Sequence, residues 1–357
     1  MLEKLNKQLE EINIDNREEL DKFIDEIDIS EDNYNKWIED LASDKINILD
    51  MNKLPYLIDR LYICNDKYRF LLCCILLERT YDKLPFVTNL ENYPLFKKKF
   101  EILKYPIMKI YDSVDNGIAN CMALIVLNND PKFELFTDKE KDDLSKITIR
   151  KLKCIIDYLK DNSDIDNRVY NDIEVIVDLS VYLENNEINK LVDDLSKFTL
   201  DYQSKLFILK YKIVNNMNIS NMIDEMFANK DKINHLVYIL ERIDSINLLP
   251  LDKISEEDIA RSNMIDWLKY PQELGKKPDS IEFLDKFEYD GYDFYVYKFK
   301  SNNFRIKDYM LGISGGYLKN KITALDTGFT FSNFEVVKED YINQAKNMID
   351  MIKEWDK

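Results

Sequence analysis

Six of the seven glycines, Gly275, Gly291, Gly312, Gly315, Gly316 and Gly328, fall in the last quarter of this 357-residue chain, and only Gly117 precedes them. Tight turns and phosphate-cradling loops need positive φ or a close backbone approach, which glycine supplies without a Cβ clash. One glycine in residues 1–274 therefore argues against a β-protein and against a glycine-rich α/β nucleotide fold over that stretch. Helices remain, with asparagine at their ends, because asparagine tolerates the left-handed conformation. Asparagine pairs do stand where apolar patterns stop, at Asn128-Asn129, Asn185-Asn186 and Asn215-Asn216.

Apolar residues recur at helical spacing from the start: Leu2, Leu5, Leu9 and Ile12, then Leu20, Phe23, Ile24 and Ile27, then Tyr34, Trp37, Ile38 and Leu41. The same pattern predicts helices over about 52–64, 67–81, 94–112, 116–128, 138–146, 148–161, 168–184, 187–197, 200–216, 220–228, 231–244 and 256–269. Thr137 with Glu140 forms a capping-box signature, and Ser255 with Asp258 a second one. Pro131 follows a helix expected to end at Asn128.

The stretch from Tyr105 to Asp130, YPIMKIYDSVDNGIANCMALIVLNND, resembles one HEAT-type helix pair, with Pro106 in the first helix and IANCMALIVL in the second. Over about residues 50–245 the resemblance implies an irregular α-solenoid, a fold that presents concave surfaces to other proteins. After Tyr270 the character changes. YPQELGKKPDS reads as a linker, and Asp290-Gly291 between two aromatic-rich runs is a strong hairpin signal. A second hairpin is expected to turn at Ser314-Gly315-Gly316, with a further strand in GFTFSNFEVV. A closing helix from about Lys338 carries Tyr341, Ala345, Met348, Ile352 and Trp355 on one stripe. The expected architecture is mostly α: a helical array over 1–270, a linker at 271–279, and an antiparallel β module with a covering helix over 280–357.

A net charge of -17 opposes nucleic acid and anionic membranes, whose binding depends on Lys and Arg. It favours a basic protein partner. The leading residues MLEKLNKQLEE hold no apolar core of a secretory signal, and the longest apolar run, Phe70 to Leu77, is too short to span a bilayer. Five cysteines, Cys64, Cys73, Cys74, Cys121 and Cys154, match no disulfide or zinc spacing and read as buried apolar residues of a reducing cytoplasm.

Gly312-Ile313-Ser314-Gly315-Gly316 satisfies G-x-S-x-G, but a nucleophile elbow needs a strand-turn-helix setting and a histidine partner. The only histidine, His235, lies in a helical run well upstream, and one histidine excludes multi-histidine metal motifs. Carboxylate pairs at Asp142-Asp143, Asp193-Asp194 and Glu256-Glu257-Asp258 fall on amphipathic helices, where solvated acids are expected. No cofactor or metal motif is present, and no catalytic residue is assigned. Lys298, Lys300, Arg305, Lys307, Lys319 and Lys321, against the single acid Asp308, form a candidate docking face in a module that is near neutral as a whole. Guard lysines on edge strands are the plainer explanation.

The expected function is non-enzymatic protein binding, of adaptor or immunity type, by an acidic helical surface. The alternative is a hydrolase using groove carboxylates or Ser314. The Asn, Ile and Lys bias is that of an AT-rich bacterial genome.

Overall fold

The computed structural model describes Glu18, Lys22, Met108, Tyr111, Asp112 and residues 136–355, apart from 220, 303–304 and 318–328. The helices expected before residue 136, the HEAT-like pair, Cys64, Cys73, Cys74, Cys121, Lys319 and Lys321 lie outside the described residues or largely so. The chain divides into two compact units, Met1–Ser204 and Lys205–Lys357.

In the first unit, α1 (Asp138–Asp161) is one continuous helix of 24 residues. The break expected near residue 147 does not occur. Ile147, Thr148 and Ile149 are β-branched and poor helix formers, but neither glycine nor proline interrupts them, and packing outweighs propensity. Thr148 is fully buried and shares a hydrogen bond of 2.9 Å with the buried Tyr111 hydroxyl. The N-terminus closes as expected, with Thr137 and Glu140 in a reciprocal capping box. Cys154 is exposed on this helix, contrary to the expectation of burial. α2 (Asn167–Ser180) is capped by Asp166, and α3 (Asn186–Leu195) by Asn185. Asn185 accepts from the amide nitrogens of Glu187 and Ile188, so this asparagine pair opens a helix instead of ending one. α1 packs against both α2 and α3.

The second unit is entered through α4 (Tyr202–Val214). Asn216 closes it with φ 52°, while the Met217 amide bonds the Lys212 carbonyl at 2.8 Å, a left-handed asparagine end of the expected kind. α5 (Met222–Ala228), a 3-10 turn at Lys230–Lys232, and α6 (Ile233–Arg242) follow. Asp244 ends α6 in the same left-handed way, φ 52°. α7 (Glu256–Leu268) begins at the Ser255–Asp258 capping box.

Four strands then form an antiparallel meander in the order β1 (Ser280–Tyr289), β2 (Tyr292–Lys300), β3 (Met310–Tyr317), β4 (Phe329–Val336). α8 (Tyr341–Trp355) closes the chain. The β1–β2 hairpin turns at Asp290 and Gly291, with φ 52° and 82°, the two positive values a type I′ turn requires. The expected turn at Ser314-Gly315-Gly316 is instead the interior of β3, where Ser314 pairs with Tyr295 on one side and Thr330 on the other.

Alternation along β2 assigns the two faces of the sheet. Tyr295, Tyr297 and Phe299 meet Ala260, Met264 and Leu268 of α7, whereas Phe294 and Val296 meet Ala345, Met348 and Ile349 of α8. The sheet is thus covered on both sides. The helix on its first face is α7, which the sequence places in the helical array, and the expected linker at 271–279 lies inside the second unit. Among the described residues the fold is eight helices and a four-stranded antiparallel sheet with a C-terminal helix. No described helix is long and apolar enough to cross a membrane.

Candidate interaction surface

Strand alternation puts Lys298 and Lys300 on the α8 side of β2, beyond the apolar pair Phe294 and Val296. Lys298 stands directly opposite Glu282 of β1, and its Nζ lies 2.9 Å from Glu282 Oε2. The Tyr309 hydroxyl donates to the other carboxylate oxygen at 3.0 Å. The Tyr309 ring lies beneath both ammonium groups, its centroid 4.8 Å from Lys298 Nζ and 5.7 Å from Lys300 Nζ. Hydrogen bonds from Lys298 and then Tyr309 hold the Glu282 carboxyl below its usual range. Arg305 and Lys307 are exposed, and Lys307 Nζ donates to the Asn302 carbonyl at 2.5 Å. The structure therefore brings Lys298 and Lys300 together around Tyr309, a residue the charge pattern alone did not single out.

Ser314 is fully buried, and its hydroxyl lies 3.1 Å from that of Thr330. It sits mid-strand, not on the exposed strand-to-helix turn of a nucleophile elbow. His235 Nε2 is 2.5 Å from Asp266 Oδ2, which ties α6 to α7. Asn234 joins them, donating to Asn263 at 2.8 Å and to Asp266 at 3.0 Å. Burial pushes the Asp266 carboxyl up, but His235, then Lys269 and Asn234, outweigh it and hold the group at about 2. A depressed carboxylate contributes stability that is complete above its unfolded value and is lost as pH falls through the folded one. We expect Asp266 to contribute about 2 kcal/mol at neutral pH, fading between about pH 4 and pH 2. Asp266→Asn should flatten the acid limb of a urea-midpoint against pH curve in that window. An unchanged acid limb would show that the α6–α7 contact does not depend on this charge.

The other carboxylate pairs are engaged locally. Asp142 and Asp143 meet Lys146, at 2.7 and 3.0 Å, and Asp193 and Asp194 meet Lys197, at 3.5 and 2.7 Å. Glu256 belongs to a tighter cluster: Lys286 Nζ lies 2.9 Å from both Glu256 Oε2 and Asp293 Oδ2, and the Tyr295 hydroxyl donates to Glu256. Burial and then Glu256 raise the Tyr295 hydroxyl well above its ordinary value. A tyrosine and lysine so held pin α7 to the sheet and are poorly suited to give up protons near neutrality. In the first unit an open cleft of about 530 Å³ includes Asp112, Glu140 and Asp143 in its lining. These carboxylates hold Arg150, the Thr137 cap and Lys146 respectively.

Asp161 to Asp201 carries eleven acids against three bases. Its apolar side chains Ile173, Val177, Leu179, Ile188, Val192 and Leu195 are all buried, and every acid of the stretch except the buried Asp178 is at least partly exposed. Asp161, Asp164, Asp166, Glu184, Glu187 and Asp194 are exposed. Some are compensated, Asp166 by Arg168 at 2.8 Å and Glu187 by Lys153 at 2.7 Å. The excess of acid over base remains. No protein-family model, no curated protein and no solved structure matches the chain.

Proposed function

We propose that this chain is a non-enzymatic protein-binding protein, of adaptor or immunity type, that holds a basic partner against an acidic helical surface. The observation that supports it is the stretch from Asp161 to Asp201, where α2 and α3 bury their apolar stripes while α3 and the segments flanking the two helices expose a strong excess of carboxylates. Such a surface attracts cationic partners from a distance and rejects anionic ones, which speeds encounter and narrows the choice of partner. The HEAT-like reading of residues 50–245 belongs to the same proposal, because stacked helix pairs offer a broad face of this kind. The packing of α1 against both α2 and α3 is compatible with it.

The test is binding of a fluorescent octalysine peptide to the full chain, compared with a variant carrying Asp161→Lys, Asp164→Lys and Glu184→Lys. The wild type should bind, with affinity falling steeply as salt rises, because exposed charges are screened over about 8 Å at physiological ionic strength. The triple variant should lose about tenfold or more. Exposed ion pairs are worth roughly 0–1 kcal/mol each, so three reversals acting together can reach that size. Equal binding by the variant would sink the assignment of this surface.

A further inference from the structure

No further inference is drawn: the strongest candidate, the apolar patch around the exposed Phe283 of the edge strand β1, beside Tyr295 and Tyr297, carries nothing because nothing in the structure shows what covers it.

Discussion

Gly315→Val should strip the second unit of its folded sheet. A Cβ built at residue 315 lies 2.7 Å from the Asp293 carbonyl oxygen and 2.7 Å from Phe294 Cα, and also runs into the Phe294 ring. Backbone on the neighbouring strand cannot swing aside as a flexible side chain can. Overpacking of this kind costs about 1–3 kcal/mol for a modest intrusion and more for a branched one. Typical domain stabilities are about 5–15 kcal/mol, so valine should bring the unit near its limit, and alanine should produce a graded loss. Near-UV circular dichroism against urea reads this directly, because Phe294, Tyr295, Tyr297 and Phe299 all lie in the affected sheet. Gly315→Asn separates two causes. Asparagine tolerates positive φ, so it would rescue a turn glycine, but in a strand pressed against its neighbour it should do no better than alanine. Rescue by asparagine would restore the turn reading of Ser314-Gly315-Gly316.

That residue also marks where the sequence stops being legible. Signals complete within four residues were readable: the capping boxes at Thr137–Glu140 and Ser255–Asp258, and the Asp290-Gly291 turn. The local chemistry of Gly315-Gly316 read equally well as a turn. What decides otherwise is the close approach of Phe294, whose nearness depends on strand pairing and not on any neighbour in sequence. The docking face divides in the same way. That Lys298 and Lys300 share a side of one strand follows from the period of two. That Glu282 takes Lys298 while Ser280 faces Lys300 depends on the register, with a shift between Phe283 and Asp285. Nothing in the residues near Lys300 announces it. Similarly, α7 shows an apolar stripe of Ile259, Ala260, Met264, Ile265 and Leu268, but a stripe does not say which surface it will meet.

That last point leads to the second large effect. A fragment of residues 280–357, the module as the sequence delimits it, should fail to fold, whereas 205–357 should retain the sheet. The shorter fragment keeps all four strands and α8 but loses α7, so Tyr295, Tyr297, Phe299 and Met310 would face water. Fully burying one such side chain is worth about 1.5–3 kcal/mol, so four of them represent roughly 6–12 kcal/mol as an upper bound. That rivals the whole stability of a typical domain. The polar clamps vanish with the helix. Lys286 loses Glu256, the Tyr297 hydroxyl loses the Glu257 carbonyl at 3.1 Å, and Ser332 loses Glu273 at 2.5 Å. Without these partners the exposed aromatic face should bind a hydrophobic dye and aggregate, and near-UV dichroism should be absent while some far-UV signal remains. The longer fragment should melt cooperatively with full near-UV signal. If 280–357 unfolded in a single sharp transition with the near-UV spectrum of 205–357, the α7 interface would be incidental to the sheet, and the boundary at 271–279 would mark an autonomous module after all.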